Sequence, residues 1–396
     1  VLRTYKYLLR PNPQQEADLD FLLWQSRRVY NAALDQRIRT YQETGKGIGY
    51  AAQWTYFRDE RRAQPETLGR LNASSMQHNL RRLDKAFAAF FRRVRAGETP
   101  GFPRFKGRSR FKSLEYTYGD GCKLTGDAHG RFSFYVQSVG EMRMCYHRSI
   151  PEGAQIKHVV IKRVNERWYA CLMLELPDPL PAPRGADRHP EGVESAVGVD
   201  VGLYSLAALS DGRTVENPRW LRKSLARLCV AQRRASRRTK GSQRRRRAYE
   251  QVARLHEHIA NQRRDFLHKL ARSLVSEYDL VAIEDLALGF MNHNPHLSLS
   301  SHDAGLGELR RLLEYKAEEA GTRVVAVNPT YTSQRCSGCG ERVEKDMSVR
   351  VHRCPFCDLV LDRDVNAARN ILQLAFQQPP GRGGQDGTWA VAPCVS

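Results

Sequence analysis

Residues 195–202 read SAVGVDVG, a short run of small and branched apolar residues that ends on Asp200 between two glycines. Such a run is a buried strand, and a carboxylate at its end is costly unless something coordinates or pairs it. Two other stretches share this context. DLVAIEDL (279–286) is apolar through Ile283 and then carries Glu284, and LDRDVNAARNILQLA (361–375) places Asp364 at the opening of a helix. Around them lie a second strand, LYSLAALSDG, a long helical stretch over 217–277, a helix over 306–321 and the strand RVVAVNP at 323–329. This order of strands and helices predicts an α/β domain. Three strand-end or helix-start carboxylates that converge make a hard-oxygen site of the kind Mg²⁺ prefers. Two such ions, about 3.5–4 Å apart, can activate a water and stabilise the leaving oxygen of a phosphodiester. Taken singly, each acid could instead be a cap or a salt-bridge partner, Asp364 above all, because Asp is a favoured N-cap.

Between the last strand and the last helix stands Cys336-x2-Cys339-x14-Cys354-x2-Cys357. Two Cys-x2-Cys knuckles at this spacing fit tetrahedral thiolate coordination of one structural Zn²⁺, since four thiolates leave no open position. Four thiolates can also hold an iron–sulfur cluster. His352, two residues before Cys354, is not expected to be a ligand. The other five cysteines (Cys122, Cys145, Cys171, Cys229, Cys394) are scattered singly, which argues against a disulfide framework and for a reducing compartment.

The 396 residues carry 64 Lys+Arg against 43 Asp+Glu, a net charge of +21, with 41% hydrophobic residues. The chain is therefore a folded, multidomain protein with a polyanionic partner, not a basic disordered tail. No run reaches the 18 or so apolar residues of a membrane helix, and VLRTYKYLLRPNP lacks the apolar run of a signal peptide. The expected location is the prokaryotic cytosol, associated with the nucleoid. Within 219–247 there are thirteen Lys/Arg and no acid, including Arg244, Arg245, Arg246 and Arg247 in a row. Uncompensated cations at that density point to nucleic acid.

The N-terminal half adds a strand at 1–9, closed by Pro11 and Pro13, a helix over 14–44, and a second helix over 74–95. One face of the second helix is apolar, and the other carries Arg81, Arg82, Lys85, Arg92, Arg93 and Arg95. GFPRFKGRSRFKSLEYTYG (101–119), with Arg104 and Lys106, interleaves aromatics and cations, as single-strand or RNA contacts require. Several β-like runs over 130–176 suggest a small antiparallel barrel or sheet. Prolines then mark 177–194 as a linker, and the Gly- and Pro-rich tail from 377 is expected to be disordered.

GVDVGL, an IEDL strand end and a four-cysteine ribbon followed directly by DRDVNAARNI together resemble the RuvC-like nuclease domain of the TnpB family. These are transposon-encoded, RNA-guided DNA endonucleases related to compact type V CRISPR effectors. RPNPQQ, RRVYNAAL, GFPRFK, RRDFLHKLARSLV and YTSQRCSGCG extend the resemblance over most of 5–375.

The resemblance implies a mixed α/β multidomain fold. A split β-barrel, wedge-like, would comprise 1–13 and 111–176, with a helical recognition insert at 14–110. An RNase H-like (RuvC) nuclease domain would span 195–330 and 361–376, with the zinc ribbon inserted at 331–360. It implies Asp200, Glu284 and Asp364 as the Mg²⁺-binding triad for two ions, with Asp362 secondary. The partners would be a guide RNA from the transposon end and target DNA, as duplex and as unwound strands, with no membrane and a monomer favoured. Guided recognition needs many phosphate contacts and little base readout. The short duplex motif beside the target would be read by Tyr50, Gln77 and Thr117, with Arg81 and Arg82 on phosphates.

Three readings compete. An RNase H-like transposase would act on transposon-end DNA without RNA. A nuclease-inactive RNA-guided repressor would be marked by loss of the three carboxylates, which are intact. A plain zinc-ribbon DNA-binding protein would not need them.

Overall fold

Alternation in Leu2–Arg10 buries Tyr5, Tyr7 and Leu9 on one face, and this strand, β1, becomes the centre of a sheet. A computed structural model of the chain describes residues 2–126, 130–177, 195–286, 293–294, 297–346 and 349–377. The linker expected at 177–194 and the tail expected from 377 therefore lie almost wholly outside the described residues. Two compact units divide at Asp178/Pro179. Among the described residues no helix is long and apolar enough to cross a membrane.

In the first unit β1 joins β2 (Ser113–Thr117), β3 (Cys122–Gly126), β4 (Phe132–Val136), β5 (Gly140–Cys145), β6 (Gln155–Val164) and β7 (Arg167–Glu175). The strands form one antiparallel sheet in the order β2-β6-β7-β1-β5-β4-β3. The expected barrel is not found: the sheet ends on β2 and β3, and no ladder joins them among the described residues. β2 is engaged instead by a helix, α3, described below.

Helix α1 (Pro13–Thr44) starts at a capping box, with the Asn12 side chain accepting from the Gln15 N–H and the Gln15 side chain accepting from the Asn12 N–H. Pro13 occupies the first turn, where its missing N–H costs nothing, so PNPQ is a helix start by its chemistry. Helix α2 (Tyr50–Ala63) has no counterpart among the sequence expectations, because only Gln53 and Phe57 are buried and no apolar stripe announces it. Helix α3 (Ala73–Arg95) is capped by Asn72, whose carbonyl oxygen accepts from Ser74 and Ser75.

The second unit is built on a mixed five-stranded sheet, ordered β10-β9-β8-β11-β12. Its strands are β8 (Ala196–Val201), β9 (Ser205–Leu209), β10 (Thr214–Glu216), β11 (Leu280–Glu284) and β12 (Arg323–Val327). β8, β9 and β10 are antiparallel neighbours, whereas β11 runs parallel to both β8 and β12. The single helical stretch expected over 217–277 is two helices, α4 (Trp220–Ser236) and α5 (Gln243–Glu277). Gly241 turns the chain at φ +86°, and the Ser242 hydroxyl accepts from the Arg245 N–H, so the residues between are a break and a new cap. Then follow α6 (Ser298–Ala304), α7 (Leu306–Ala320), the two-stranded β13 (Val351–Arg353) and β14 (Val360–Asp362), and α8 (Arg363–Gln377). Val197, Val199, Val281 and Ile283 of the sheet pack with Leu267, Leu274, Leu309 and Leu313 of α5 and α7. Ile371 and Ala375 of α8 pack with Leu280, Ala282 and Val325.

Candidate functional site

Strand register brings the first two carboxylates together. Val199 of β8 pairs with Ile283 of β11 in parallel register, so Asp200 and Glu284, one residue on, end adjacent strands at the same level. Neighbouring strands lie about 4.8 Å apart. The third arrives on α8, which crosses β8 at Gly198. A Cβ on Gly198 would stand 1.9 Å from the Ala368 carbonyl oxygen and 2.9 Å from the Leu372 nitrogen, so only glycine admits the helix there. The cap of α8 is Asp362, whose Oδ1 accepts from the backbone N–H of Asp364 and of Val365. The capping role open to Asp364 is thus filled two residues earlier, and the Asp364 carboxylate is left for other work.

Asp200 is held well above the usual carboxylate range, first by burial and then by the charges of Glu284 and Asp364, with Arg363 opposing and Asp362 adding a smaller contribution of the raising sign. Glu284 is 8% exposed, and burial raises its pKa too, opposed by a hydrogen bond from the Thr332 hydroxyl. Asp364 has two guanidinium neighbours, Arg350 at 3.7 Å and Arg363 at 3.6 Å. Glu284 and Asp364 thus both disfavour the charge on Asp200, a repulsion that a multivalent cation would relieve.

Cys336, Cys339, Cys354 and Cys357 bring their four sulfur atoms within 4.8 Å of one another, a cluster able to hold a metal ion. His352 lies on β13 outside that cluster. Two asparagines one turn apart on α8 fasten this module to the carboxylates. Fully buried Asn366 accepts from the Ser337 N–H at 2.9 Å and donates to the Arg335 carbonyl at 2.7 Å. Asn370 donates to the Arg335 carbonyl and to that of Thr332, at 2.7 and 2.8 Å. Thr332 is the residue whose hydroxyl reaches Glu284. Sequence reading missed Thr332, Asn366 and Asn370 as site residues. The only local signal for the asparagines was their i, i+4 spacing in NAARN, which places both on one helix face.

The residues expected to touch nucleic acid fall in both units. In the first, Arg81 places its guanidinium 5.4 Å from the ring centre of Tyr50, and Gln77 lies one turn before Arg81 on α3. The Thr117 hydroxyl pairs with His78 Nε2 at 3.0 Å, so α2, α3 and β2 bring Tyr50, Gln77, Arg81 and Thr117 to one neighbourhood. Arg82 does not stay free as its sequence position suggested. It pairs with Glu115 and packs 5.1 Å over the Phe111 ring. Arg104 is exposed, and the backbone of Lys106 is tied in both directions to the Asn31 side chain. In the second unit, Arg244 and Arg247 line a groove of ≈ 380 Å³ with Arg234 and Arg238. Arg245 donates to the Arg238 carbonyl and Arg246 pairs with Glu250, so two of the four arginines are partly engaged.

Residues 174–294 match the family described as OrfB_IS605, "Probable transposase", 307–371 match "Cas12f1-like, TNB domain", and 1–46 match a "Helix-turn-helix domain", residues that fold here as β1 and α1. A protein of Streptomyces pristinaespiralis named "Putative RNA-guided DNA endonuclease" is 35% identical, over 94% of this chain and 89% of its own. The chain belongs to the TnpB family. A second TnpB relative, InsQ of Escherichia coli K12, carries the same designation and is 31% identical over 94% of this chain and 92% of its own. Among solved structures, a Cas12f1–sgRNA–target DNA complex superposes with a TM-score of 0.61 at 18% identity, covering 90% of this chain and 82% of that one. That likeness places the TnpB chain in the mixed α/β fold of compact Cas12 effectors.

Proposed function

We propose that the chain is an RNA-guided DNA endonuclease whose cutting centre is Asp200, Glu284 and Asp364. The relatives' names support the guided activity. What supports the centre is geometry: Asp200 and Glu284 follow the register pair Val199–Ile283 on adjacent parallel strands, and Gly198 admits α8, which carries Asp364. In this reading the second unit is an RNase H-like, RuvC-type nuclease domain formed by 195–330 and 361–376, with 331–360 as its zinc ribbon. The first unit supplies a wedge-like sheet domain, 1–13 and 111–176, with 14–110 as recognition insert.

Hard oxygen donors with no soft ligand suit Mg²⁺ at the carboxylates, and four thiolates suit one structural Zn²⁺. Bound Mg²⁺, as two ions, would supply an activated water and neutralise charge developing on the phosphodiester. The chain's own part is to hold three carboxylates in register. Strand ends fix Asp200 and Glu284, Gly198 admits α8, Asp362 caps it, and Thr332 holds one oxygen of Glu284 in place. The guide RNA, derived from a transposon end, would pair with the target strand while the arginines hold phosphates. Tyr50, Gln77 and Thr117 would read a short duplex motif, steadied by Arg81.

Purification with and without ribonuclease treatment, followed by cleavage of a DNA library, tests this reading. Expected are a structured co-purifying RNA and Mg²⁺-dependent cutting at sequences matching it. Guided binding should survive Asp200→Ala, Glu284→Ala and Asp364→Ala while cutting is lost. Cutting of transposon-end DNA by RNA-free protein would favour a transposase instead.

A further inference from the structure

His78 and Arg82 stand one turn apart on α3, and both side chains meet strand β2, the end strand of the first sheet. Side chains alternate along β2, so Ser113, Glu115 and Thr117 share one face while Leu114 and Tyr116 are buried on the other. His78 Nε2 pairs with the Thr117 hydroxyl at 3.0 Å. Arg82 pairs with Glu115 and reaches the Ser113 hydroxyl at 3.2 Å. Strand β6 brings a third group. His158 stands directly opposite Thr117 in the antiparallel ladder, so it is diagonal to Glu115 on the same face. The pairing of β6 with β7 shifts register between Ile156 and His158, an irregularity of the kind that re-aims a side chain.

His78, Glu115 and His158 thereby bring one ligand atom each within 4.8 Å of one another. The two imidazole rings meet edge to face, with centres 4.6 Å apart. Glu115 divides its oxygens: Oε1 meets the Arg82 guanidinium, and Oε2 faces His158 Nε2 at 3.7 Å. That distance is too long for a hydrogen bond. It is close to the separation of about 3.3–3.6 Å between two donors each about 2.0–2.2 Å from one tetrahedral Zn²⁺. All three side chains are half-buried. Arg82 orients the carboxylate and Thr117 orients the His78 ring, the service that outer partners give to metal ligands.

We infer that His78, Glu115 and His158 form a binding site for a divalent transition ion, Zn²⁺ by ligand type, which fastens α3 to the edge of the first sheet. Two imidazoles and one carboxylate suit Zn²⁺ and its first-row neighbours, whereas Mg²⁺ and Ca²⁺ take oxygen donors alone. Three ligands leave one position open to water. Because the ligands come from α3, β2 and β6, the binding free energy acts to hold these elements together. Gln77 adjoins one ligand in the chain and Thr117 contacts it, so the clasp would also steady two of the groups proposed above to read the duplex motif. The site itself stands on the geometry of the first unit and does not depend on the endonuclease reading.

The test titrates full-length protein, its four cysteines already filled with Zn²⁺, with Co²⁺ while visible absorption is followed. A nitrogen- and oxygen-ligated Co²⁺ absorbs in the visible without the near-ultraviolet sulfur-to-cobalt band, which separates this site from exchange at the cysteines. About one such ion per chain is expected, and His158→Ala and Glu115→Gln should each weaken its binding at least about ten-fold. Gln keeps the size of Glu115 and still accepts from Arg82, so loss of fold does not confound that variant. Amide exchange in β2 and in the first half of α3 should slow when Zn²⁺ is added to the native chain and stay unchanged in the variants. Absence of the sulfur-free absorption, or equal affinity in native chain and both variants, overturns the site. Binding that leaves exchange unchanged overturns the clasp. Native protein that neither binds a guide nor cuts DNA overturns the endonuclease reading and leaves the metal readouts standing.

Discussion

The Asp362 carboxylate accepts the backbone N–H of Asp364 at 2.8 Å, so of two acids in DRD one caps the helix and the other faces the carboxylate cluster. The roles follow from position. A residue just before the first helical turn has its side chain over the free N–H groups, whereas one inside that turn does not.

This division separates two variants. Asp362→Ala should lower stability by about 0.5–2 kcal/mol, the usual loss for an N-cap, with cutting reduced but present. Asp364→Asn should leave the melting temperature of metal-free protein close to native and abolish cutting. Calorimetry beside a cleavage assay checks both, and full cutting by Asp364→Asn would remove it from the centre.

Gly198→Ala should be severe for its size. The added methyl meets backbone atoms of α8, which cannot yield by a rotamer change. Overpacking of this kind costs about 1–3 kcal/mol or more, and here it also moves Asp364 away from Asp200. A lowered melting temperature together with lost cutting is expected, and a variant that cuts normally would show that α8 has slack.

Thr332→Val removes the hydroxyl on Glu284 while keeping the side-chain volume. Groups that orient metal-binding residues typically account for about 10–100-fold in metal affinity or activity, and a loss in that range is expected here. Titration with Mn²⁺ followed by electron paramagnetic resonance measures binding apart from cutting. Thr332→Ser should restore both, and Asn370→Ala, which frees the Thr332 carbonyl partner, should weaken them.

Cys354→Ser or Cys357→Ser should drop bound zinc well below about one per chain and destabilise the module, because metal binding in such small sites is folding free energy. Since Asn366 and Asn370 bind its first knuckle, cutting should fall as well. Metal analysis and cleavage on the same preparation decide it, and active protein without zinc would refute a structural site.

Acid should loosen the contact between α3 and β2. Burial drives His78 down to about 4, helped by the nearby charge of His158, with Glu115 opposing. For Glu115 burial acts upward, but the His158 imidazole 3.7 Å away and the paired Arg82 guanidinium prevail and hold it at about 2. Both folded-state values lie below their unfolded ones, 6.5 and 4.5, so the unfolded chain takes up protons first as pH falls. Their stabilisation is full at pH 7. It declines below pH 6.5 as unfolded His78 protonates, then further below 4.5 towards 2. Melting temperatures between pH 7 and 4 should fall less steeply in His78→Gln than in the native chain, and parallel curves would contradict this.

Much of the α/β unit was legible in the sequence because its strands are short, buried and bounded by Gly or by carboxylates. GVDVG, LVAIE and the two Cys-x2-Cys knuckles lie where those local patterns put them. The helix expected over 14–44 is α1 as well, although its Asn12 capping box and the place of Pro13 in its first turn were not read from the sequence. Other features have no local signature. α2 is a helix whose burial rests on two residues, and the break between α4 and α5 turns on one glycine inside a continuous run of cations. Among the described residues the first sheet does not close, and closure would depend on pairing between distant edge strands, which no single stretch encodes.

The sequence by itself determined which acids and thiols could do chemistry, since residue type and spacing set ligand preference. Only the tertiary structure decided that Asp362 caps while Asp364 does not, and that Thr332 holds Glu284. It also paired Arg82 with Glu115. Those assignments depend on which groups meet across tens of residues, and hydrogen bonds and ion pairs act only over a few ångströms.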